Sequence, residues 1–250
     1  MAVTGDFPRP KELRLPGSTD QFGIQVDRLK ADLVKQGRRV QAVVEASFES
    51  VFNRDLAAAQ QVGKMDEEVD AVDVALERSA VALLTEATGI GARLDPSQLR
   101  WVLMIVKVNN ELERIADVGV AIAEDCRLFH SASDLPPTFR VLANSVLGII
   151  RDSVSSLDRL DPDLARVVLL SEEAVKAFKK ALVAETEKRL QGGGIQIDVS
   201  SALHDVAMQC VTAADHCTNI AEQVMYTATG KIVRHMEGRW EEVKLNDPAP

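Results

Sequence analysis

The sequence predicts an all-α protein built as two tandem three-helix bundles, and three observations carry that prediction. The composition is 46% hydrophobic but only 4% aromatic, which suits helices that pack through aliphatic ridges. Six stretches place apolar residues at helical spacing, with Pro, Gly or Asp-Pro pairs at most of their boundaries. Finally, the segment around Asp117 recurs around Asp215. At one constant offset Ala116/Ala214, Asp117/Asp215, Ile122/Ile220, Ala123/Ala221 and Glu124/Glu222 are identical pairs, the mark of a duplicated module.

Residues 1–20 contain Pro8, Pro10, Pro16 and Gly17 and read as a flexible lead-in. The first helix is expected over Gln21–Asn53, where Ile24, Leu29, Leu33, Val40, Val44, Phe48 and Val51 recur at helical spacing. The second runs from Leu56 to Thr88 and stops at Gly89 and Gly91. Asp95-Pro96 offers an N-cap and an N1 proline to the third, which continues to about Cys126. These three form a first repeat over 21–130. After the loop Ser131–Pro137, a fourth helix ends near Asp158 and a fifth covers about Asp163–Gln191. The triple glycine Gly192–Gly194 closes the fifth, and a sixth covers Val199–Thr229 with Gly230 as its C-cap. They form a second repeat over 136–231. The short connections fold successive helices back antiparallel. Gly194–Asp198 is the only alternating stretch read here, and 232–250 is expected to be a loose charged tail.

A net charge of −9 argues against a protein that binds nucleic acid through a basic face. No apolar run reaches the ~18 residues of a membrane span, and the N-terminus has no charged-then-apolar export pattern. Cys126, Cys210 and Cys217 read as free thiols of a reducing compartment; Cys210 and Cys217 lie too far apart along one helix to pair. The expected location is the cytoplasm.

Carboxylates carry the chemistry. Asp66, Asp70, Asp73 and Glu77 fall within about 60° of arc on the second helix, beside Met65, Val69, Val72 and Leu76, with no Lys or Arg in the stripe. Like charges at this spacing repel, so a neighbouring basic group or a cation is expected to offset them. The third helix adds Asn110, Glu113 and Asp117 in another narrow arc, with Asn109 close by. If the two helices pack antiparallel, the stripes face each other, and such oxygen donors suit hard cations and iron. Lys107, Glu111, Arg114 and Asp125 lie farther round the same helix, and one broad solvated face holding everything is the competing reading. No Glu-x-x-His motif is present. His204 on the sixth helix reads as a satisfied or solvated histidine, His216 and Cys217 diverge, and no catalytic constellation stands out, so no enzyme is expected.

Two segments resemble the PhoU family of bacterial phosphate regulators. Leu112-Glu-Arg-Ile-Ala-Asp117 is similar to the family signature Leu-Glu-Arg-Ile-(Gly/Ala)-Asp, and Ala214–Gly230 is similar to its second-repeat counterpart. Asp66-Glu-Glu-Val-Asp70 matches the acidic helix of the first repeat. The resemblance spans about Gln21–Lys231. It implies two three-helix bundles with a surface acidic motif on each, able to hold iron or another metal ion. By position, Asp66, Asp70, Glu113 and Asp117 would be the ligands, with Asp73 and Glu77 less certain. In the second repeat Val211 replaces the glutamate, and Lys176 and Ala177 stand four residues after Glu172 and Glu173; that repeat is expected to bind metal weakly or not at all, with Asp215 kept for local hydrogen bonding. The resemblance further implies a regulator that restrains phosphate uptake and the phosphate-starvation two-component response. Its partners would be the phosphate-transporter ATPase complex, the sensor histidine kinase and, as a homodimer, a second copy. It would touch the inner face of the membrane only through these partners. The competing functions are a helical scaffold unconnected with phosphate and a metal-dependent hydrolase.

Overall fold

The computed structural model describes residues 18–92, 94–130, 134–236 and 239–243. Six long helices dominate it: α1 (Ser18–Asn53), α2 (Leu56–Gly89) and α3 (Pro96–Glu124) in the first half, then, after a single turn α4 (Cys126–Phe129), α5 (Pro137–Arg159), α6 (Pro162–Gln191) and α7 (Ile197–Thr229). A hairpin of β1 (Ile232–Met236) and β2 (Arg239–Val243) follows. The all-α reading holds, and the local signals set most of its boundaries. The Asp95 carboxylate accepts from the Gln98 backbone N–H at 2.8 Å, while the Gln98 side chain accepts from the Asp95 N–H at 2.9 Å, a reciprocal cap on α3. Asp161 caps α6 ahead of Pro162, and Gly230 closes α7 at φ 72°.

Three expectations are corrected. Helix α1 begins at Ser18, inside the segment read as lead-in; residues 1–17 lie outside the described residues. The third helix ends at Glu124 rather than about Cys126; Asp125 keeps a right-handed helical backbone, and the separate turn α4 starts at Cys126, whose thiol donates to the Ser50 carbonyl at 3.2 Å. The segment expected to be a loose tail instead forms an antiparallel hairpin over 232–236 and 239–243, pairing Ile232 with Val243 and Met236 with Arg239. Its signal is local: two residues, Glu237-Gly238, separate two five-residue runs, the spacing of a tight hairpin. Residues 244–250 lie outside the described residues.

Helix α1 packs on α2 and α3, and α5 packs on α6 and α7. The two bundles then join through α3 against α7 and α1 against α5, so one apolar core runs from Phe22 to Val233. Leu33, Leu112, Ile122 and Leu142 are fully buried, each contributing about 1.5–3 kcal/mol by leaving water. Phe48, Phe52, Phe129 and Phe139 form an aromatic cluster with centroids 5.0–6.4 Å apart, tying α4 and the start of α5 to α1. Close crossings depend on missing side chains. A Cβ on Gly119 would stand 2.9 Å from a Val43 methyl of α1, and one on Gly37 would stand 3.1 Å from both Val154 methyls of α5.

Candidate functional site

Val62, Val69, Leu76 and Leu83 form the buried seam of α2. Anchored by that seam, Asp66 and Asp73 sit half-buried at its flank while Asp70 is exposed. On α3, buried Leu112, Ile115 and Ala116 set Glu113 half-buried and Asp117 exposed. The two stripes share one electrostatic field. Burial pushes the Asp66 carboxyl up to about 6, helped by the charges of Asp70 on its own helix and Asp117 across the gap. Glu113 is likewise raised by burial and then by Asp117, Asp73 and Asp70, with Arg114 pulling the other way. Asp73 is raised by burial, Glu77 and Asp70, against a hydrogen bond from Asn109. That bond is specific: Asn109 Nδ2 donates to the Asp73 carboxylate at 2.6 Å and to the Asp73 backbone carbonyl at 3.0 Å.

The competing reading of one broad solvated face fits Asp70 and Asp117, which are exposed, while Asp66, Asp73 and Glu113 are half-buried at its inner edge. Asp66 Oδ1 and Asn109 Oδ1 are buried without a hydrogen-bond partner, the condition in which an uncompensated oxygen is costly. An all-oxygen donor set with excess negative charge suits a hard cation. The side chains are not drawn together around one point, however: among the described residues no three histidine, cysteine or acidic groups converge on a metal-sized position.

Glu111 belongs elsewhere. It turns toward the second repeat, where His216 Nδ1 lies 2.7 Å from Glu111 Oε2 and Asn219 Nδ2 donates to the same oxygen at 3.0 Å. Burial would raise the Glu111 carboxyl, but these two hydrogen bonds and the charges of His216 and Arg114 outweigh it and hold the group below its ordinary value. His204 is satisfied locally, with Nδ1 2.8 Å from the Ser200 carbonyl.

The second repeat fills the matching position differently. Glu172 is buried at 5% exposure, and Lys176 Nζ stands 2.8 Å from its Oε1 and 3.5 Å from Glu173 Oε1. Asp215 of α7 lies beside Glu172 and is raised to about 6 by burial and by that neighbour, with Lys176 and His216 pulling it down. Val211, where the first repeat has Glu113, packs against the core. All three cysteines are free and buried.

The PhoU domain profile matches this chain twice, over residues 33–126 and 139–224. The chain belongs to the PhoU family. A PhoU homologue of Thermotoga maritima, named a phosphate-specific transport system accessory protein, is 26% identical over 216 residues, covering 84% of this chain and 90% of that protein. The accessory protein PhoU of Serratia marcescens is 24% identical over 221 residues, covering 87% and 88%. Among solved structures, the phosphate transport system regulatory protein PhoU of Streptococcus pneumoniae superposes with a TM-score of 0.78 at 19% identity, covering 86% of this chain and 100% of its own. PhoU of Pseudomonas aeruginosa superposes at 0.75 with 23% identity, covering 84% and 100%. These two likenesses establish the PhoU fold. Within it, Asp66 and Asp70 lie on α2 and Glu113 and Asp117 on α3, close enough for their charges to act on one another. Glu111, His216 and Asn219 were not legible as a group: they lie on two repeats, and no pattern within one helix announces a partner on another.

Proposed function

We propose that this PhoU protein is a non-enzymatic accessory of phosphate uptake that restrains both uptake and the phosphate-starvation two-component response through contacts with other proteins. The observation that supports it most is the match of both repeats to the PhoU domain, together with near-full-length relatives named as accessory proteins of phosphate-specific transport. Its partners in this reading are the phosphate-transporter ATPase complex and the sensor histidine kinase, met at the cytoplasmic face of the membrane. In this reading the chain reaches that surface through them; among the described residues no helix is long and apolar enough to cross a membrane. Deleting the gene and assaying alkaline phosphatase with phosphate in excess tests the role. High activity returned to low by the wild-type gene is the expected result, and activity that stays low in the deletion overturns negative regulation.

The same reading places a metal ion, iron or another hard cation, on Asp66, Asp70, Glu113 and Asp117. Support comes from the carboxylates' mutual repulsion and the unpartnered Asp66 oxygen. A cation there supplies positive charge at an otherwise acidic face, which changes the surface a partner meets. Elemental analysis of wild type against Asp70→Ala/Asp117→Ala measures it, and equal metal content in the two proteins removes the site assignment.

A further inference from the structure

We propose that two copies of this chain pair through the outer edge of β2. The hairpin lies beyond both stretches matched by the PhoU profile, the second of which ends at residue 224, so neither repeat accounts for it. Helix α7 packs on β1, and Val233 of β1 is buried in the shared core. Strand β2 is held from one side only: among the described residues it pairs with β1 alone. Its far side presents unpaired backbone groups, which are a template for another strand.

Register and charge select a second copy as the occupant. A twofold axis beside β2 runs the two β2 strands antiparallel. In an antiparallel ladder two opposed residues either both exchange backbone hydrogen bonds or both do not. Alternate residues of β2 already turn theirs toward β1, so each residue can oppose only itself or one an even number of places away. Centring the pairing on Arg239, Glu241 or Glu242 sets a like charge against itself, and centring it on Val243 leaves most of the strand unpaired. Centring it on Trp240 sets tryptophan against tryptophan and Arg239 against Glu241 twice. Opposed aromatic residues and opposed opposite charges both stabilise a sheet. The hairpin's own register extends the row, because Arg234 of β1 lies opposite Glu241. Glu241 then stands between two arginines, one of its own chain and one of the second copy, and the ribbon becomes a four-stranded sheet with alternating charge across it.

Sedimentation velocity on the full chain over rising concentration tests this, with helical circular dichroism as the control for folding. Wild type is expected to pass from the mass of one chain to that of two. Arg239→Glu leaves the hairpin's own Arg234–Glu241 pair in place and sets a carboxylate against Glu241 on both sides of the twofold axis. It is expected to raise the dimer dissociation constant about tenfold. The triple variant Arg234→Glu/Arg239→Glu/Glu241→Arg reverses every sign in the row, so opposite charges again face each other within the hairpin and across the interface. Its dissociation constant is expected to return to the wild-type value. Wild type that stays a single chain at every concentration overturns the proposal. A dimer that Arg239→Glu leaves equally tight is joined elsewhere and overturns it too, as does a triple variant that associates no better than Arg239→Glu.

Discussion

Asp66 shows how one carboxyl couples the acidic face to stability. Its folded pKa of about 6 lies above the ordinary 3.8, so between those values the folded chain holds its proton more tightly than the unfolded chain. Stability from this group therefore rises as pH falls through that window, and above about pH 6 the ionised carboxylate is a constant liability. Asp66→Asn removes the charge while keeping the shape. In chelator the variant should melt above wild type at pH 7.5, and the gap should shrink as pH falls through 6 and close by about pH 4, where wild type is itself protonated. A gap of the same size at both ends would show that the gain has another origin. The candidate ligands on both helices were legible because their spacing is a property of single helices. Asp73's amide partner was not: Asn109 was visible only as a neighbour of the stripe, and its 2.6 Å bond spans α3 to α2.

At the scale of elements, what the sequence announced were the features with local chemistry: the Asp95-Pro96 and Asp161-Pro162 caps and the left-handed glycine after α7. The hairpin after Gly230 is not legible from charge alone, because a charged C-terminal segment reads the same whether it is loose or paired. Its strand pattern is short, and buried Val233 joins it to the shared core. A chain truncated after Gly230 should keep its helical circular dichroism and lose roughly 1.5–3 kcal/mol, the contribution of burying Val233, which the truncation removes. Full loss of helicity would mean the hairpin is part of the fold's nucleus. Gly119 sets a second limit. Alanine there would put its Cβ 2.9 Å from Val43, inside normal contact, and should cost about 1–3 kcal/mol by forcing α1 from α3. Denaturant unfolding of Gly119→Ala measures this, and an unchanged midpoint would show that Val43 yields freely.

For the whole molecule the question is how two similar bundles act as one body. Internal duplication was plain in the sequence, yet it gives no register between the copies. The structure joins them through a continuous core and through polar contacts, the half-buried Glu111 of α3 with His216 and Asn219 of α7 and the exposed Arg38–Asp158 pair between α1 and α5. Glu111 is held below its ordinary pKa, with burial outweighed by the hydrogen bonds from His216 and Asn219. Its ionised form is thus favoured in the fold, so this contact's stabilisation is present above the ordinary carboxyl pKa of 4.5 and is lost as pH falls through the lowered folded value. A double-mutant cycle of Glu111→Gln and His216→Ala isolates the pair. At pH 7 the coupling should be about 1.5–3 kcal/mol, the range for a hydrogen bond to a charged group, and it should fade in acid. Scanning calorimetry should also show a single transition in wild type, because the shared core couples both halves. Zero coupling at pH 7 would leave apolar packing and the exposed Arg38–Asp158 pair to hold the repeats together, whereas two separate transitions in wild type would mean that neither the core nor these contacts make them one cooperative unit.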